Sequence, residues 1–163
     1  MPHVHDKIDF TTEVFIVYDD VVLLRKHDKY KIWLSVGGHV ELDEDPNQAA
    51  VREAKEEVGM DIVLWDGNHN ARTFSDGTIG LIPPIFLNRN RISATHEHVT
   101  FVYFAAANDR AIRQGDTEVS DGIRWFTREE LDAPEYDIHE NIKIYAKAAL
   151  DALGRRGGNI KKS

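Results

Sequence analysis

The chain has 163 residues, a net charge of −8 and no cysteine, and 42% of its residues are hydrophobic. That length and apolar content fit one domain able to bury about two-thirds of its unfolded surface. The acidic balance is the wrong sign for gripping a nucleic-acid polymer through its phosphates, and the lack of cysteine excludes disulfides and thiolate metal sites.

Residues 1–6 hold no basic stretch leading into an apolar run, and no apolar run approaches the roughly 18–20 residues of a membrane helix. The expectation is a soluble, cytoplasmic protein with no membrane partner. Residues 12–18 are β-branched and aromatic, Asp19-Asp20 follow, and 21–24 are again apolar, which reads as a strand hairpin. Residues 32–36 and 38–41 read as short strands broken at Gly37-Gly38. Asp45 then offers an N-cap, Pro46 suits a first helical position, 47–58 contain no glycine or proline, and Gly59 supplies a stop. The spacing predicts a helix over 46–58.

Residues 61–65 read as a strand and 66–78 as a polar loop. Residues 79–87 are apolar but interrupted by Pro83-Pro84, as in an edge strand or a bend. Asn88-Arg89-Asn90-Arg91 reads as a hairpin loop facing water, basic enough to meet phosphates. Residues 98–107 form the best strand of the second half, 108–120 a loop, and 123–126 a short strand leading into a short helix from Thr127. Over 138–153, Ile138, Ile142, Tyr145, Ala149 and Leu153 recur at helical spacing. Residues 1–153 read as one domain and 154–163 as a flexible basic tail. Strands first, a helix in the middle and a helix last predict an α/β fold with a mixed sheet covered by helices.

The middle helix carries the chemistry. At about 100° per residue, Ala50, Val51, Ala54 and Val58 share one side, and Glu53, Glu56 and Glu57 share the other. Like charges so spaced repel by a few tenths of a kcal/mol per pair, a cost that a hard divalent cation would offset. Arg52 stands four residues before Glu56 and can pair with it or with Glu44. A bare Glu-x-x-Glu-Glu is most often a solvated charged face; the surrounding residues decide otherwise.

Those residues run Gly38, five residues, Glu44, seven residues, Arg52-Glu53, Ala54, one residue, Glu56-Glu57, one residue, Gly59, Met60. This resembles the Nudix box at all nine specified positions. The resemblance extends more weakly over residues 8–153, from a strand hairpin to Trp125-Phe126 and the Glu-Leu helix after them. It implies an α/β/α sandwich with a central mixed sheet and Mg²⁺-dependent hydrolysis (Mn²⁺ being the alternative ion) of a nucleoside diphosphate linked to another group. The substrate would be a nucleoside triphosphate, a nucleotide sugar or a dinucleoside polyphosphate. Glu53, Glu56 and Glu57 would hold the metal with help from the Gly37 carbonyl. Glu44 and Arg52 would brace the loop and helix, and a homodimer is compatible. The chain departs from the family at Val36, where proline is usual before the double glycine.

The general base has three candidates: Glu53, Glu97 at the mouth of a strand, and Glu118 in a loop. The candidate catalytic set is therefore Glu53, Arg52 and Glu97, and the candidate substrate-binding set is Gly38, His96, His98 and Arg89. His96 and His98 alternate around one residue and share a strand face, as His3 and His5 would. Zinc needs three or four ligands, and the sequence assigns these pairs no further partner, so contact with a phosphate or base is the expectation for His96 and His98. The rival function is a ligand-sensing module that binds without hydrolysis. Such modules commonly lose box carboxylates, and all four are present here.

Overall fold

The computed structural model describes residues 7–67, 71–113 and 122–155. Ten strands and two α-helices run in the order β1 (Ile8–Tyr18), β2 (Val21–Lys26), β3 (Trp33–Leu34), β4 (Val36–His39), α1 (Pro46–Val58), β5 (Ile62–Leu64), β6 (Arg72–Thr73), β7 (Ile79–Gly80), β8 (Phe86–Arg91), β9 (Glu97–Ala107), β10 (Ile123–Phe126) and α2 (Glu140–Leu153). Eight strands form one mixed sheet along the path β10-β2-β1-β9-β5, with β3 on β2, β4 on β1 and β8 on β9. The long central pair β1 and β9 is parallel, from Ile8 opposite Glu97 to Val17 opposite Ala106, and every other pairing is antiparallel.

Alternation along β1 builds two cores. Val14 and Ile16 point to one face and pack with Ala50, Ala54 and Val58 of α1. Phe15 and Val17 point to the other and pack with Ile142, Ala146, Ala149 and Leu150 of α2. A helix on each face of a mixed sheet is the α/β/α sandwich expected.

The helix 46–58 has the boundaries its sequence predicts. Asp45 accepts from the backbone N–H groups of Asn47 and Gln48, the Gln48 side chain returns the favour to the Asp45 N–H, and Gly59 closes the helix at φ 67°. Elsewhere the structure corrects the sequence reading. Residues 88–91 are not a hairpin loop: they belong to β8, paired along β9 with Asn90 opposite His98. Their side chains alternate, so the polar run is one face of a strand plus its exposed reverse. Gly37 and Gly38 do not break the chain between strands but lie inside β4, against Glu13 and Thr12 of β1. Within the expected loop 66–78 and the stretch after it, β6 and β7 make a small separate sheet. The short helix expected from Thr127 is a turn followed by 3₁₀ turns at Glu130–Asp132 and Pro134–Tyr136. The last helix begins at Glu140, two residues later than the pattern indicated, with Ile138 buried just before it. Arg155 still engages the domain, its N–H donating to the Asp19 carbonyl at 3.0 Å; residues 156–163 lie outside those described.

Candidate active site

One broad cleft runs from the acidic flank of α1, over the edge strand β4, onto the α2 face of the sheet, and is lined by Glu53, Glu56, Glu57, Gly38, His98 and Glu13 among others. Arg52 is part of its lining and ties its carboxylates together. The guanidinium donates from Nη1 to Glu53 Oε1 at 2.8 Å and Glu56 Oε2 at 2.9 Å, and from Nη2 to Glu44 Oε1 at 2.7 Å and the His39 carbonyl at 3.0 Å; Nε reaches Glu44 Oε2 at 3.0 Å. This fork ties helix α1 to the loop before it. Its hydrogen bonds to Glu44 hold that carboxyl below its ordinary range and keep the arginine charged.

Glu57 turns to the strand side. Its Oε2 accepts from the Gly37 N–H at 3.0 Å, and Arg25 of β2 forms an ion pair with its other oxygen. Glu53 and Glu57 are 8% and 3% exposed, whereas Glu56 faces solvent. Two nearly buried carboxylates on one helix flank persist only with charged partners, and Arg52 and Arg25 provide them. The double glycine has a steric reason. A Cβ at Gly38 would collide with the Glu53 carboxylate, and one at Gly37 with the Thr12 carbonyl. Val36, standing where proline is usual, is fully buried in the α1 core and paired with Val14.

The donor set on α1 is all oxygen, as a hard cation such as Mg²⁺ requires. The three glutamates are not gathered into one tight knot: Glu53 and Glu56 meet at Arg52 and Glu57 meets Arg25. Among the described residues, ligand atoms within 4.8 Å of one another occur instead at Asp9, His39, His96 and His98.

Of the other residues singled out from sequence, Gly38 and His98 line the cleft. Burial, then the charges of His39 and His96, lower the His98 pKa. Arg89 and Glu97 do not line it; they pair with each other, one on β8 and one on β9. Arg91 reaches the cleft where Arg89 does not. His96 sits against Asp9 and His98. Glu118 lies outside the described residues. Sequence reasoning missed Glu13, a cleft carboxyl on β1 whose Oε2 is shielded from water and without a hydrogen bond. Burial pushes its pKa up to about 7, the neighbouring Ser35 side chain pulling the other way less strongly. A lone glutamate in an otherwise β-branched strand was the available signal.

A family model, the NUDIX domain, matches residues 10–148. The chain belongs to the Nudix family. Among solved structures, a Nudix-family hydrolase from Clostridium perfringens is 38% identical, superposes with a TM-score of 0.81, and aligns over 89% of this chain and 97% of its own. A MutT Nudix hydrolase from Burkholderia pseudomallei shares the fold at 22% identity and a TM-score of 0.61, over 90% of this chain and 98% of its own. The dihydroneopterin triphosphate pyrophosphohydrolase of E. coli does so at 18% identity and a TM-score of 0.61, over 94% of this chain and 97% of its own. No curated protein matches the sequence. The Nudix assignment makes this chain a hydrolase of a family with members acting on phosphoric anhydrides. No helix among the described residues is long and apolar enough to cross a membrane.

Proposed function

We propose that this Nudix hydrolase cleaves, with Mg²⁺, the pyrophosphate linkage of a nucleoside diphosphate joined to another group. The observation that carries the reading is the convergence of Glu53 and Glu56 on one nitrogen of Arg52, with Glu57 anchored to the Gly37 N–H, all in one open cleft. Glu53, Glu56, Glu57 and the Gly37 carbonyl would hold the ion, Mn²⁺ serving as a substitute. When bound, the ion offsets phosphate charge and lowers the pKa of water at the site.

The chain's own residues do the rest. Arg52, locked by Glu44, fixes the rotamers of Glu53 and Glu56 so that their oxygens face the cleft, and most of the catalysis of phosphoryl transfer lies in such positioning. Glu53 would accept the proton of the attacking water. Glu97, neutralised by Arg89 away from the cleft, is a poorer choice. Gly38, in the cleft lining, leaves room for the Glu53 carboxylate beside the substrate path, and Arg91 would supply a cation for the substrate's phosphates.

The test is a panel of nucleoside triphosphates, nucleotide sugars and dinucleoside polyphosphates at fixed Mg²⁺, with and without chelator. The expectation is metal-dependent release of a phosphorylated product from at least one member, with kcat lowered at least about 100-fold in Glu57→Gln. Turnover of none with either Mg²⁺ or Mn²⁺, or unchanged kcat in the variant, refutes the proposal.

A further inference from the structure

Away from the glutamates, three neighbouring strands deliver a second group of donors to the α2 face of the sheet. Asp9 lies on β1 directly opposite His98 on β9, and His39 ends β4 opposite Thr11, two residues along from Asp9. His96 stands just before β9, two residues from His98 and so on the same face. Asp9 Oδ2 is 3.4 Å from His39 Nε2 and 3.5 Å from His96 Nε2, and His96 Nε2 is 3.0 Å from His98 Nε2. The His39 and His98 rings cross nearly edge-on at 4.9 Å, as do those of His96 and His98.

These separations have a chemical meaning. A tetrahedron with arms of about 2.0–2.1 Å, the zinc–nitrogen length, has edges of roughly 3.3–3.4 Å. The two oxygen–nitrogen spacings, 3.4 and 3.5 Å, lie close to that edge, the His96–His98 nitrogen spacing of 3.0 Å is shorter, and all four ligand atoms lie within 4.8 Å of one another. The oxygen–nitrogen spacings are longer than the roughly 2.7–2.9 Å of a charge-assisted hydrogen bond, so an ordinary His–Asp bond does not account for them. The His39 and His96 Nε2 atoms face one carboxylate and the His98 Nε2 faces that of His96, which would set protons against protons if all three were protonated there. Lone pairs turned inward would let them share one cation. The His39 Nε2 is shielded from water and makes no hydrogen bond. Asp9 is 1% exposed, so the group is closed off from bulk water on that side.

We propose that Asp9, His39, His96 and His98 form a four-coordinate site for a borderline transition-metal ion of the Zn²⁺ class, separate from the hard carboxylate site on α1. Imidazole-rich donors select such ions over Mg²⁺. With four protein ligands the site is closed and structural rather than catalytic. It pins the start of β1 to β4 and β9. Because the His39 carbonyl also receives Arg52, the ion steadies the end of β4 that carries the glycine pair. This role replaces phosphate contact for His96 and His98, and it stands whether or not the hydrolytic reading does.

The experiment strips the full chain with chelator and dialyses it against Zn²⁺, and in parallel Co²⁺, in excess Mg²⁺ to occupy the carboxylate site. Wild type is expected to retain about one Zn²⁺ per chain, to show the intense visible bands of tetrahedral Co²⁺, and to melt at a higher temperature with Zn²⁺. His98→Ala and His96→Gln should each weaken retention more than about 100-fold, since even outer-sphere partners are worth 10–100-fold. Glu56→Gln should retain the ion and its spectrum. Absence of retention by wild type, a weak octahedral Co²⁺ spectrum, retention as tight as wild type in both histidine variants, or loss of the ion in Glu56→Gln each overturns the proposal. Far-UV circular dichroism checks the folding of the variants; if neither folds, the wild-type Co²⁺ spectrum decides alone.

Discussion

Glu13 shows what a single side chain contributes that pattern reading misses. In solution a glutamate costs nothing, but here its Oε2 is closed off among β1, β4 and Ser35, and its pKa rises from 4.5 to about 7. A raised carboxyl pKa means the folded state prefers the neutral form. Its contribution is therefore intact below pH 4.5 and is lost as pH climbs through 7. The penalty once ionised is on the order of 3 kcal/mol. Metal-free protein should lose stability between those limits, and Glu13→Gln should flatten that slope, as read by urea midpoints across pH. Parallel curves for the two proteins would contradict it. The box residues were legible for the opposite reason: their spacing is itself the signal. What spacing does not reveal is that Arg52 serves four acceptor groups at once, or that Glu57 pairs with Arg25 of β2, because those partners arrive through tertiary contact.

At the level of elements, α1 was readable to the residue because each boundary has a local chemical cause. Its cap is the cheapest place to test this. Asp45→Ala removes two accepted N–H bonds and should cost about 1 kcal/mol, within a usual range of 0.5–2. Thermal melting would register that as a drop of a few degrees. An unchanged melting temperature would mean that packing, not capping, sets the start of the helix. The second half of β8 was unreadable because residues 88–91 place arginines outward and asparagines inward, so no apolar alternation marks them after Phe86-Leu87. Only pairing with β9 makes it a strand. β4 was misread for a related reason. Glycine usually interrupts a strand, but here the approach of Thr12 and Glu53 leaves room for nothing larger.

For the whole molecule, the fold class followed from element order, and the two cores follow from the alternation of β1 and β9. Phe104 is the keystone of the α2 side, 2% exposed and in ring contact with Phe15, Trp65 and Phe86. Phe104→Ala should cost about 3–5 kcal/mol by leaving a cavity that three aromatic neighbours cannot all close. Chemical denaturation measures this directly; a loss under about 1 kcal/mol would show that the core relaxes around the gap. The Asp9–histidine group belongs to this scale too. Its members lie 87 or more positions apart at the extremes, Asp9 against His96 and His98, and only the parallel pairing of β1 with β9 brings them within reach.

That pairing also constrains how the gene can change length. Along β1, odd-numbered side chains serve the α2 core, Glu13 and the Asp9 group, while even-numbered ones serve the α1 core. Removing or adding one codon there would turn every downstream side chain inside out, exchanging cleft for core in a single event. Insertions and deletions are thus disfavoured in β1 and better tolerated around residues 72–80, where Gly77 has open space beside it and strands of two residues ask little of their neighbours.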